Sequence, residues 1–131
     1  MQITAQLKNT ASSHAVDVTT AGQPKPVAIA GRMGGGSAVN GGEFLMLALA
    51  TCYCNDLYRE AARLHIELTA VEVEASAEFD GIGLAARDIT YRARVASPAS
   101  PERVEQLLRE TDAVAEVHNT LRAGAEVRRL P

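Results

Sequence analysis

Seven consecutive residues, Phe44-Leu45-Met46-Leu47-Ala48-Leu49-Ala50, are apolar without exception. They stand near the start of a segment that reads as one helix from about Asn40 to about Leu64. Asn40 is a good N-cap, and Glu43 stands where the reciprocal partner of a capping box belongs, although Gly41 and Gly42 weaken the first turn. About two turns of helix that are apolar on every side are expected to be buried all round. The second half, Asn55 to Arg63, is polar on one side. The apolar run from Phe44 to Cys54, with Thr51 inside it, is far short of the roughly 20 residues that cross a bilayer. The rest of the chain therefore has to be arranged around this helix.

The flanking segments supply strands. Ile3, Ala5 and Leu7 alternate with polar residues, as do His14, Val16, Val18 and Thr20, and Asn9 to Ser13 reads as the turn of a hairpin. Pro24 to Ala30 reads as a third short strand, which Pro24 and Pro26 place at a sheet edge. The loop Gly31-Arg32-Met33-Gly34-Gly35-Gly36-Ser37 lacks the Gly-Lys-Ser/Thr ending of a phosphate-binding loop. After His65, Val71, Val73, Ala75, Ala77 and Phe79 alternate with Glu72, Glu74, Ser76 and Glu78. Asp80-Gly81-Ile82-Gly83 turns the chain, and Ile89, Tyr91, Ala93 and Val95 alternate with Thr90, Arg92 and Arg94. Acids on one wet face and arginines on the next predict a charge-matched antiparallel pair.

Ser100-Pro101-Glu102 starts a second helix, with Val104, Leu107, Leu108 and Thr111 on one face. Asp112 is expected to cap a third helix from about Val114 to Leu121. Gly124 is expected to end it, and Ala125 to Leu130 to form a last strand. The order βββ-α-ββ-α-α-β is α+β, in a single domain over residues 1–131.

Composition narrows the function. Apolar residues are 47% and charged residues 22% of the chain, as in soluble globular proteins. Aromatics are 4% and Trp is absent, so the core must be built mainly from Ala, Val and Leu. A formal charge of −3 argues against a nucleic-acid partner that needs a broad basic surface. The start, MQITAQLK, has no basic stretch followed by an apolar one, so no secretory signal is expected. The two cysteines, Cys52 and Cys54, point to nearly opposite sides of a regular helix, and a disulfide between them would break it. They read as reduced thiols of a cytoplasmic protein. No second Cys or His pair stands at ligand spacing, so neither a metal nor a cofactor is expected.

Helical spacing sorts the polar residues. Cys52, Asn55, Asp56, Arg59 and Arg63 fall at i, i+3, i+4, i+7 and i+11, along one side. Cys54 lies elsewhere, nearer Leu47 and Tyr58, and reads as a small buried hydrophobe. An arginine beside Cys52 would favour its thiolate, while burial and Asp56 would oppose it unless Arg59 neutralises the acid. The plainer reading of the same stripe is a solvated or dimer-facing helix side. His14 reads as a strand-face residue, His65 as a helix end, His118 as a cap of the third helix, and Arg128-Arg129 as a solvated strand end.

Three features together resemble the OsmC/Ohr family of osmotically inducible and organic hydroperoxide resistance proteins. They are Gly34-Gly35-Gly36 leading to Asn40 and Glu43, the thiol Cys52 after an Ala-rich apolar helix, and Val117-His118-Asn119-Thr120-Leu121. The resemblance implies an intertwined homodimer with central helices packed between sheets and sites at the subunit interface. It implies a reactive Cys on the central helix that becomes a sulfenic acid on attacking a hydroperoxide, a second Cys that forms a disulfide, and an external dithiol reductant. A loop Arg and a Glu near the helix start polarise such a site. Carried over, the reactive thiol is Cys52, the loop arginine is Arg32, and the acid nearest the motif is Glu43. The family's second cysteine falls at Ala115 and its glutamate at Gly42. Cys54, Asn55, Asp56, Arg59 and His118 are candidate lining residues. Two functions are compatible with these departures. One is a thiol-dependent hydroperoxide reductase with an external thiol. The other is a non-catalytic dimer that binds a small ligand at its interface.

Overall fold

The computed structural model describes residues 1–131, in the order β1 (Ile3–Asn9), β2 (His14–Thr20), β3 (Gln23–Pro26), α1 (Gly41–Arg63), β4 (Ala70–Glu78), β5 (Arg87–Ala96), α2 (Pro101–Val114) and α3 (Glu116–Ala123). It divides into two compact units, Met1–Phe44 and Leu45–Pro131. The mixed α+β composition with antiparallel sheets is the one the alternation and the helix signals predict.

The first unit is an antiparallel meander, β1-β2-β3. β1 and β2 pair from Ile3↔Thr20 to Asn9↔His14, the register the alternation requires. A two-residue turn follows, with Ala21 and Gly22 at φ 49 and 79. Such a left-handed pair matches the twist of the flanking strands, and it starts β3 at Gln23. The third strand is therefore earlier and shorter than the expected Pro24 to Ala30. β3 pairs with β2 alone, so Pro24 and Pro26 do lie on an edge strand. Gly34, Gly35 and Gly36 then take φ of 85, 116 and 93, where a Cβ would be strained. Asn9 pins this loop: its Oδ1 accepts from the Gly36 N–H at 2.8 Å, and its Nδ2 donates to the Gly36 carbonyl at 3.1 Å. Ala5, Leu7, Val16, Val18, Ile29 and Phe44 are among the residues around a cavity of about 250 Å³ on one face of the sheet.

α1 opens on Asn40 as the expected N-cap, but Glu43 meets the Asn40 side-chain amide rather than its backbone N–H, so the capping box is not completed. The Glu43 N–H donates to Asn40 Oδ1 at 2.8 Å, and Asn40 Nδ2 donates to Glu43 Oε1 at 2.6 Å. It closes on His65, at φ 55, with the Ile66 N–H on the Ala61 carbonyl at 2.8 Å and the His65 N–H on the Ala62 carbonyl at 3.2 Å. This is a Schellman closure with His in the usual Gly position, so His65 is the helix-end residue the sequence predicts.

In the second unit, Tyr53, Leu57 and Ala61 of α1 form one core with Ile66, Leu107 and Ala115. The half-buried faces of β4 (Val71, Val73) and β5 (Tyr91, Ala93, Val95) pack against it. The opposite face is charge-matched as expected, with Glu72 opposite Arg94 and Glu74 opposite Arg92. Ser100 caps α2 by accepting the Arg103 N–H at 3.3 Å, with Pro101 in the first turn. The buried Thr111 hydroxyl is satisfied within α2 by the Leu107 carbonyl at 2.7 Å.

Four sequence expectations change. The third helix runs from Glu116 to Ala123, because α2 continues to Val114 and Ala115 is the extended break. Asp112 is then inside α2, and its carboxylate accepts from Tyr91 and Arg122 rather than capping. Gly124, at φ 65, does end the helix. Ala125 to Leu130 form no strand. A strand needs a partner ladder, and here Val127 is left 94% exposed. The apolar half of α1 is not buried all round, since Leu47 is 57% exposed, and Tyr58 in the second half is 50% exposed. The helix carries more apolar surface than one chain covers. No helix is long and apolar enough to cross a membrane.

Leu107 is fully buried and Ile82 fully exposed. In urea denaturation, Leu107→Ala is expected to cost about 2–5 kcal/mol, and Ile82→Ala to stay within about 0.5 kcal/mol.

Candidate functional site

Cys52 is half-buried on α1, on the same helix as the core residues Tyr53 and Leu57. Its thiol donates toward Asp56 Oδ2 at 3.6 Å, one turn along, and toward Glu116 Oε2 at 3.8 Å, at the start of α3. Arg59 binds Asp56 Oδ1 at 2.8 Å and reaches Glu116 Oε1 at 3.7 Å and Glu60 Oε1 at 3.4 Å. The structure thus gathers three members of the predicted stripe, Cys52, Asp56 and Arg59, and adds Glu116. Asn55 is exposed and outside this network. Arg63 turns instead to Glu60 and Glu110, each at 2.5 Å. Cys54 is a free thiol like Cys52, with no disulfide between them.

The charge balance around the sulfur differs from the arginine-activated thiol considered from sequence. Burial pushes the Cys52 pKa up, and Asp56 and Glu116 push it further, while the Val117 backbone N–H works the other way. Arg59 does not reverse this, because its guanidinium lies on the carboxylates. The two acids separate. Asp56 is only 5% exposed; burial and the Glu116 charge hold its pKa above the usual carboxylate range, against Arg59. Glu116 is exposed in the first turn of α3, where its own backbone N–H holds its pKa down, helped by Asp56 and Arg59.

One donor atom from each of Cys52, Asp56 and Glu116 falls within 4.8 Å of the others. Arg59 already supplies both carboxylates with a positive partner.

His118 was expected to cap α3. Instead it is buried, 3% exposed, with ring centroids 4.5 Å from Tyr91 and 5.7 Å from Tyr53. The reason is the shifted helix start, which places His118 on the inward face of α3. Neither ring nitrogen has a hydrogen-bond partner. Burial, then the Arg122 charge, holds its pKa below the usual imidazole value, with Asp112 opposing. It lines a cavity of about 230 Å³ with Leu49, Ile89, Tyr91, Leu121 and Arg122. The Tyr53 hydroxyl donates to the Leu108 carbonyl at 2.7 Å.

The other two sequence candidates lie in the first unit. Arg32 is exposed, and its Nε donates to the Gly35 carbonyl at 3.4 Å. The Glu43 carboxylate accepts from its capping partner, Asn40.

A family model described as OsmC-like protein matches residues 34–128. The chain belongs to the OsmC-like family. No curated protein matches it. Among solved structures it is similar to the OsmC-like protein of Mycoplasma pneumoniae, at 16% identity and a TM-score of 0.59, covering 91% of this chain and 87% of the other. It is similar to an OsmC-like hydroperoxide resistance protein of Jannaschia sp. CCS1, at 14% identity and a TM-score of 0.59, covering 97% and 89%. A third is an OsmC-like protein of unknown function from Vibrio cholerae, at 12% identity and a TM-score of 0.59, covering 91% of each chain. These likenesses establish the OsmC-like fold.

Within this OsmC-like chain, the residue that sequence reasoning missed is Glu116. It directly follows Ala115, where the family's second cysteine is absent. Periodicity relates neighbours on one helix, and Glu116 is 64 positions from Cys52. Tyr91, Asp112 and Arg122 were hidden from periodicity for the same reason.

Iodoacetamide alkylation of Cys52 against pH is expected to show a midpoint above the 9.0 of an unperturbed thiol. A second outcome concerns stability. A histidine with a lowered folded pKa contributes stability that is present above its unfolded value, 6.5, and is lost as the pH falls. Urea midpoints are expected to fall below that pH, and His118→Phe to flatten the fall.

Proposed function

We propose that this OsmC-like protein is a thiol-dependent hydroperoxide reductase with Cys52 as the peroxidatic thiol and an external thiol as reductant. The observation that carries this reading is a partly accessible mid-helix sulfur held among two carboxylates and a guanidinium. The similar protein from Jannaschia sp. CCS1 is called a hydroperoxide resistance protein, which fits the same chemistry. The thiolate attacks the peroxide to give a sulfenic acid. With Ala115 in place of a second cysteine, that acid is resolved by the external thiol. The substrates proposed are organic hydroperoxides, and the setting is the reducing cytoplasm.

The working unit proposed is a homodimer. The observation behind it is the apolar side of α1 around Leu47, Cys54 and Tyr58, which one chain leaves open. Sedimentation is expected to give twice the 13.9 kDa chain mass, and the double variant Leu47→Glu/Tyr58→Glu to give monomers.

A second reading, a non-catalytic dimer that binds a small ligand, draws on the cavity beside His118 and its two unpartnered nitrogens. Peroxide consumption separates the two. With cumene hydroperoxide and dithiothreitol or dihydrolipoamide, the wild type is expected to turn over and Cys52→Ala to fall to background. Equal rates would remove the reductase reading. Arg32→Ala and Glu43→Gln enter the same assay to measure the roles expected of those residues.

A further inference from the structure

Two carboxylates of unlike environment meet one thiol. Asp56 is buried on α1, and Glu116 is exposed at the start of α3. Both reach Sγ, at 3.6 and 3.8 Å, and Arg59 holds them together at 2.8 and 3.7 Å. Where the surroundings of two interacting acids pull them apart, one serves as the proton donor and the other as the acceptor. We propose that Asp56 and Glu116 are the acid–base pair of Cys52. Glu116 takes the thiol proton, and Asp56 delivers a proton to the oxygen that leaves the peroxide.

This rests on the reductase reading and extends it. The Cys52 S–H bond gives its proton to the Glu116 carboxylate. The sulfur lone pair attacks the terminal oxygen of ROOH. The S–O bond forms, the O–O bond breaks, and its electron pair leaves with RO⁻. The Asp56 carboxyl protonates RO⁻ to ROH. Cys52 is oxidised by two electrons to S–OH, and the peroxide is reduced by two. The pair ends with its proton on Glu116, and proton exchange with solvent at that exposed carboxyl restores the starting state. The charged groups that act on the sulfur are Asp56 from α1 and Glu116 from α3. Arg59 acts on both acids. The opposite pKa directions of Asp56 and Glu116 agree with these roles.

The test compares two reactions of the same sulfur in the full chain: wild type, Asp56→Asn, Glu116→Gln and the remote control Glu126→Gln. Alkylation by iodoacetamide needs only the thiolate. Sulfenate formation with cumene hydroperoxide, trapped by dimedone, also needs a proton for the leaving oxygen. Glu116→Gln removes a negative charge, so its alkylation midpoint is expected to shift down and its alkylation at pH 7 to speed up several-fold, whereas Asp56→Asn exchanges a protonated carboxyl for a neutral amide and its alkylation is expected to stay close to that of the wild type. Sulfenate formation at the same pH is expected to slow by about 10²-fold or more, the usual range of acid–base assistance. Glu126→Gln is expected to leave both unchanged. Slower sulfenate formation without slower alkylation supports the pair, and a purely structural or electrostatic role moves the two rates together. Glu116 is exposed, so its variant stays informative if Asp56→Asn folds poorly. If the wild type forms sulfenate at Cys52 and neither variant changes its rate, the acid–base assignment fails while the reductase reading stands. If the wild type forms none, both fail, and any shift in alkylation reports only the proton coupling.

Discussion

The inward side of α1 is the constraint on which the rest of the second unit depends. Tyr53, Leu57 and Ala61 are buried against Leu107, Ile66 and Ala115. Burying a large apolar side chain stabilises by about 1.5–3 kcal/mol, so this stripe sets how the helix is rotated. Rotation then decides everything polar on it. Asp56 and Glu60 precede buried Leu57 and Ala61, so they fall at the edge of the core, where their carboxylates must be paired. Arg59 and Arg63 do that pairing. Cys52 lies one turn before Asp56, so its sulfur enters the same polar border.

The other half of the site arrives through Ala115. It is completely buried and has the extended backbone that separates α2 from α3. A small residue there lets the start of α3 come close, and Glu116 follows directly with its carboxylate toward the sulfur. The same break turns His118 inward between Tyr53 and Tyr91. Tyr53 is held as a neutral phenol, its pKa pushed up to about 12 by burial and then by the Asp112 charge. The thiol is likewise held toward its neutral form. Of the two carboxylates that reach the sulfur, the exposed Glu116 is the one whose pKa is held down.

Much of the architecture was legible. The alternation of β1, β2, β4 and β5 predicted their faces and their charge pairing. The Asn40 cap, the Ser100-Pro101 start and the Gly124 stop predicted three helix ends. These signals are local, set by side-chain period and by backbone groups within one turn. The misses have one origin. Ala125 to Leu130 alternates like a strand, but hydrogen-bonded partners make a strand, and none is present. Asp112 resembles a cap, but Tyr91 and Arg122 claim its carboxylate.

By itself the sequence determined that Cys52, Asp56 and Arg59 share one helix side, because 3.6 residues per turn permit nothing else. It also determined the strand faces and the order of elements as far as α3. Only the tertiary structure decided which charge meets the sulfur. That depends on how α3 approaches α1, a distance of 64 positions along the chain that no local period encodes. Burial at that junction, with two acids nearer than any guanidinium, turned an arginine-activated thiol into one guarded by carboxylates.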